Sequence, residues 1–194
     1  MNWIARLFVR AKHWQIFLLF VVAFAVGEFP VVGNLTASAN SPEGSAVALL
    51  LTEVATVVAA WCFILWLWSL GSFLNSVVPP ALRPSNRFFL FSIIYGAIDV
   101  VLSIAVFQLI DPRWLLVVIP LLIIGLFCVF YGLYFVSKSL VMAETGERAS
   151  FFNCLGPFLL LWFAIIGVWF IQPRVNRLYT EKRARESATE AAAV

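Results

Sequence analysis

One carboxyl group stands where only a specific role would keep it. Asp99 lies eleven residues from each end of the apolar run from Phe88 to Ile110. A charged Asp at the centre of a membrane helix costs about 2.5–3.5 kcal/mol on insertion scales. At ~1.5 Å per residue, Arg87 and Arg113 sit roughly 18–21 Å away along the helix axis, too far to act as partners. Ser92, Tyr95, Gly96 and Ser103 share the face of Asp99 by three- and four-residue spacing. Such a stripe faces a neighbouring helix or a subunit, not lipid. It suits a proton or cation site. It equally suits a protonated Asp hydrogen-bonded to Tyr95, Ser103 or an adjacent helix, with the serines serving helix packing.

A second group of acids is expected near one surface. Glu28 and Glu53 fall close to the same ends of two consecutive apolar blocks, and with Glu43 and Asp111 they face Arg113 alone. This outer acidic cluster (Glu28, Glu53, Asp111) would attract cations at a vestibule, or it is a set of interfacial carboxylates reaching for water. Enzyme chemistry finds little footing. The single histidine, His13, excludes an HExxH pair, and no GxSxG elbow occurs. Cys62, Cys128 and Cys154 are scattered through apolar sequence and read as small apolar residues. Glu144, Glu147 and Arg148 read as a solvated helix face. The expectation is no catalytic residue, no metal and no cofactor.

The elements that must hold these residues follow from composition. Of the 194 residues 63% are hydrophobic and 12% charged, and the mean hydropathy is +0.98. Soluble domains carry about 25% charge, so the chain reads as a polytopic all-α membrane protein. Apolar segments run at about 14–32, 46–74, 88–110, 114–136 and 151–171, each long enough to cross ~30 Å of hydrocarbon. The basic start, the first apolar core and Ala37-Ser38-Ala39 imitate a secretory signal, but too many residues separate core from Ala-x-Ala, so an uncleaved first helix is expected. Pro79, Pro80 and Pro84 stop the second block, and Asp111-Pro112-Arg113 makes a tight turn between antiparallel neighbours. Residues 1–172 form one helical membrane domain, and 173–194 a tail of mixed charge, partly helical or disordered. Neither a soluble catalytic domain nor nucleic-acid binding fits these lengths and short charged loops.

Orientation decides the topology. Cytoplasmic loops collect Lys and Arg. The thirteen cations divide as three before the first block, none in the first loop, two in the second, one in the 111–113 turn, two in the third loop and five in the tail. Five full spans, the alternative, leave seven on one side and six on the other. If the fifth block enters and returns on one side, the split becomes twelve to one. The expected architecture is therefore a bundle of four transmembrane helices plus a re-entrant or tilted fifth segment, with both ends cytoplasmic. Gly156-Pro157 and Gly167 weaken the fifth block, and the bend is expected around Ala164 to Gly167.

Three stretches carry a resemblance. Lys12-His13-Trp14-Gln15 at the start, Tyr134-Phe135-Val136-Ser137-Lys138-Ser139-Leu140 with Glu144, and Ile166-Gly167-Val168-Trp169-Phe170-Ile171-Gln172-Pro173-Arg174-Val175-Asn176 at the close resemble a group of small uncharacterised bacterial integral membrane proteins. In that group the final segment tends to carry a Pro ahead of the Gly, where this chain reads Ala164-Ile165-Ile166-Gly167. The resemblance implies a location in the bacterial inner membrane and brings no activity with it. It directs attention to Gln172, Pro173, Arg174 and Asn176, either as a clamp for a partner or lipid headgroup, or as a helix stop at Pro173 followed by phosphate-facing cations. The function expected is that of a non-enzymatic subunit assembling with itself or a membrane partner, through the Asp99 stripe and the Gly125/Gly132 face. The alternative is a small oligomeric cation or proton channel or transporter using Asp99, and a distant third is an intramembrane enzyme.

Overall fold

The computed structural model describes residues 3–23, 25, 42–109 and 115–192, all of its regular structure helical. In chain order the helices are α1 (Trp3–Arg10), α2 (His13–Ala23), α3 (Pro42–Val77), α4 (Asn86–Leu109), α5 (Leu115–Thr145), α6 (Phe151–Trp162) and α7 (Ala164–Ala192). Three stretches are long and apolar enough to cross a membrane: Thr52–Val77, Asn86–Ser103 and Val118–Thr145. Two shorter apolar helices, α2 and α6, accompany them. The rest of the first apolar block and the 111–113 turn fall outside the described residues.

Local chemistry sets the breaks. Gln15 reaches back to accept from the Lys12 N–H at 2.8 Å while the Lys12 carbonyl accepts from the Gln15 N–H at 2.9 Å, so Lys12-His13-Trp14-Gln15 starts α2 in the manner of a capping box. At the end of α3 the guanidinium of Arg83 donates to the Val78 carbonyl at 3.4 Å, ahead of a segment whose prolines cannot continue the helix. Gly146, at φ 70°, donates its N–H to the Met142 carbonyl and ends α5. Ser150 caps α6 by accepting from the Asn153 N–H.

The fifth apolar block is two helices joined at a reversal. Gly156-Pro157 does not interrupt α6; the break comes at Phe163, whose φ −91° and ψ 58° leave the helical region. The Phe163 carbonyl then accepts from the N–H groups of both Ile166 and Gly167, at 2.9 and 2.7 Å, which starts α7. Gly167 lies so close to α6 that a methyl added there would land on the Leu160 carbonyl oxygen. Only glycine permits that approach.

Side-chain contacts give the direction of each arm. On α6, Phe151 lies beside Tyr134 of α5, while Phe158 and Trp162 stack on Phe130, so α6 runs back along α5 from its charged end. Helix α7 then returns parallel to α3 with a constant offset of 106 residues: Trp66 meets Gln172, Phe73 meets Tyr179 and Ser76 meets Lys182. Pro173 sits inside α7 and does not stop it. An internal proline costs about 3 kcal/mol. Here Ile171, Gln172, Val175 and Leu178, on both sides of the proline, are buried and hold the helix together. The boundary expected at residue 172 therefore falls within one continuous helix.

The core gathers towards the end where these segments meet. Trp66, Leu70, Phe73 and Leu74 of α3 pack with Leu133, Val136 and Leu140 of α5 and Val168, Ile171 and Val175 of α7. Phe89 of α4 stacks on Phe135 at 4.3 Å between centroids and fills the space left by Gly71. The twelve described Lys and Arg belong to segments that come together at this basic end.

Candidate functional site

Two polar joints hold helices together, and Gln172 is the centre of the first. Its side chain is fully buried, where an unpaired amide would cost about 1–3 kcal/mol. The Trp66 indole N–H donates to its Oε1 at 3.3 Å, and its own Nε2 donates to the carbonyls of Phe8 at 2.9 Å and Ala11 at 3.0 Å. Val9 O and Asn176 Oδ1 lie further out at 3.4 and 3.2 Å. Asn176 adds a hydrogen bond of its own to the Ala11 carbonyl at 3.3 Å. Helix C-termini leave their last carbonyls without intrahelical donors, so Gln172 and Asn176 supply the end of α1 with the donors it lacks. Trp169, one turn earlier, packs on His13 at 4.7 Å and Phe17 at 5.4 Å.

Arg174 turns the other way. Its Nε donates to Glu144 Oε1 at 2.8 Å and its Nη2 to Oε2, a two-pronged pairing that matches the guanidinium fork to a carboxylate. Arg177 reaches the same carboxylate at 3.5 Å. The Glu144 side chain is 15% exposed, so this acid is a joint between α5 and α7 rather than part of a solvated face. Of the four residues considered as a clamp, Gln172, Arg174 and Asn176 thus bind other parts of the same chain, and only Pro173 is turned out and exposed.

The second joint is the Asp99 stripe, which lies against α5 of the same chain. Ser92 faces Gly132, Gly96 faces Val129 and Asp99 faces Gly125, an antiparallel register in which small residues let the helices approach. A methyl at Gly125 would land on the Asp99 carboxyl. Tyr95 donates its hydroxyl to the Leu121 carbonyl at 3.1 Å. Ser92 and Ser103 donate to carbonyls of their own helix, those of Phe89 and Val100. Asp99 keeps one difference from its neighbours: its Oδ1 is buried with no hydrogen-bond partner. The expected bonds from Tyr95 and Ser103 to Asp99 are not formed; both hydroxyls are directed to backbone.

Of the outer acidic cluster, Glu28 and Asp111 lie outside the described residues, and Glu53 stands half-buried on α3. The cysteines are free thiols, Cys128 and Cys154 buried and Cys62 half-buried. Among the tryptophans of α3, Trp66 is fully buried and Trp61 is 41% exposed.

Gln172 as a buried hub was legible in principle. Val168, Ile171, Val175 and Leu178 are spaced three and four residues apart, and Gln172 lies next to that stripe, on the face that packs inward. The role of Trp66 carried no signal, since three tryptophans within eight residues give no order of burial. No protein-family model matches the chain, and no curated protein or solved structure does.

Proposed function

We propose that this chain is a non-enzymatic integral membrane subunit that assembles with itself or with another membrane protein in the bacterial inner membrane. The observation that carries the reading is the uneven covering of the long helices. Only 17% of the α4 membrane window is buried inside the chain, against 44% for α3. Its outward side presents Phe91, Ile94, Ile98 and Val101 to the exterior. The polar groups best placed for chemistry meanwhile join helices within the chain. Crosslinking in native membranes, followed by purification in a mild detergent, tests the assembly. A crosslinked homo-oligomer or a stoichiometric membrane partner is expected. A chain that purifies and crosslinks only as a monomer, with nothing accompanying it, overturns the reading.

The same proposal sets four crossings, a re-entrant α6–α7 hairpin, and both termini in the cytoplasm. The reversal at Phe163 and the gathering of the twelve described cations at one end support it. A reporter fused after Val194 is expected to be active only on the cytoplasmic side, as one fused before Met1 is. Activity in the periplasm would establish five full spans instead.

A second reading rests on the unpartnered Oδ1 of Asp99: a proton or cation site within an oligomer. Proton or cation flux in liposomes that disappears in Asp99→Asn, with assembly intact, would favour this reading over the first.

A further inference from the structure

We infer that the chain holds an anionic phospholipid between α1, α2 and α7, its phosphate on Arg10, Lys12 and Arg183 and an acyl chain in the crevice beside α1. An open groove of about 750 Å³ runs between the α1–α2 junction and α7, with Arg10, Lys12 and Arg183 on its walls beside Asn176, Tyr179 and Thr180. Arg174, Arg177 and Lys182 have carboxylate partners. Arg10, Lys12 and Arg183 have none among the described residues. Three cations face two lining carboxylates, Glu186 and Glu190, and Glu186 is shared with Lys182 at 3.9 Å, so the groove keeps an excess of positive charge that an anion relieves. Arg183 is held over the Tyr179 ring at 6.0 Å.

The second observation names the kind of anion. A neighbouring crevice of about 780 Å³ is lined mainly by Trp3, Leu7, Ala11, Ile16 and Leu19 with Arg6 at its edge, and Arg10 lines both spaces. Trp3 and Leu7 are 69% and 60% exposed, so this apolar surface lacks a cover within the described chain. A cationic groove that continues into an apolar crevice at one arginine matches a molecule with a phosphate at one end and a hydrocarbon chain at the other. A zwitterionic choline lipid brings its own ammonium against the same cations, so an anionic headgroup is the better fit. The inference rests on the membrane reading and is independent of the assembly.

The full chain, purified in non-ionic detergent, can be titrated with phosphatidylglycerol, phosphatidylcholine and inorganic phosphate, with retained ligand counted by native mass spectrometry. Phosphatidylglycerol is expected to be retained in preference to the other two. Arg10→Ala, Lys12→Ala and Arg183→Ala should each weaken it about fivefold, as ~1 kcal/mol per cation implies. Arg185→Ala, outside the groove, should not change it. Leu7→Ser should weaken the lipid and leave phosphate unaffected. Lys12→Glu, at an exposed position between α1 and α2, gives the same readout if an arginine variant fails to fold. Equal retention of the two lipids overturns the inference, as does a triple alanine variant that keeps phosphatidylglycerol. Inorganic phosphate bound as tightly as the lipid also overturns it, and identifies a site for free phosphate. Extraction of the chain from membranes by alkaline carbonate would instead overturn the membrane reading itself.

Discussion

The two polar joints solve the same problem in different ways. Each places a polar side chain between helices and each depends on a glycine. At the basic end Gln172 satisfies every polar atom it carries, and Gly167 sets the hairpin that brings it there. Between α4 and α5, Gly125 makes room for Asp99, but one carboxyl oxygen is left over. The glycines differ as well. Gly167 abuts a backbone carbonyl, which cannot move without unwinding α6, whereas Gly125 abuts the end of a side chain, which can rotate. The first joint is closed and rigid. The second has both slack and an unused acceptor.

This contrast ranks the outcomes of breaking each joint. Gly167→Val should have the largest effect. Its branched side chain meets the Leu160 carbonyl, and the only relief is to open the hairpin, at a cost above the ~1–3 kcal/mol of ordinary overpacking. The expected outcome is loss of the monodisperse detergent-solubilised form. A variant that melted within a few degrees of the parent would show that the hairpin is not close-packed.

Gln172→Leu should come next. Leucine fits an apolar stripe, but it leaves the Trp66 N–H and the Phe8 carbonyl without their partner. Buried groups orphaned in this way cost about 1–3 kcal/mol each, and Asn176 retains only its bond to Ala11. A loss of about 2–4 kcal/mol is expected, confined to one place: α1 should exchange its amide hydrogens much faster while α4 and α5 keep their protection. Uniform loss of protection would mean that the hub supports the whole bundle.

How much of this was legible in the sequence follows from the same contrast. The Asp99 stripe could be placed by helical spacing alone, because its residues lie on one helix and the helix was unambiguous. Its partner helix followed from the short 111–113 connection. The Gln172 joint needs the chain to double back at Phe163, one residue ahead of the bend expected at Ala164 to Gly167, where Gly167 was the local signal. Gly156-Pro157, a stronger local signal, lies inside an unbroken helix, because the burial of Cys154, Pro157 and Leu161 along one face outweighs the hydrogen bond the proline removes. Pro173 misled for a related reason: packing on both sides outweighs its local cost. Charge counting points to a hairpin by a separate route, because it sums over segments and does not depend on where the turn falls. Glu144 was misjudged because its partners lie thirty and thirty-three residues further on, beyond any helical spacing.

The smallest effect sharpens the comparison most. Gly125→Ala puts a methyl where the Asp99 carboxyl now rests, so the side chain must rotate away and the α4–α5 pair must loosen slightly, costing about 1–3 kcal/mol. In an Asp99→Ala background the obstructing carboxyl is gone, and the same substitution should cost less than about 1 kcal/mol. The difference is a coupling energy, measurable as a double-mutant cycle on thermal melts in detergent. A clear coupling locates the carboxyl against Gly125 and identifies Asp99 as part of the α4–α5 seam. If the two substitutions simply add, Asp99 does not rest on Gly125, and its unused oxygen is free to face a path or a partner instead.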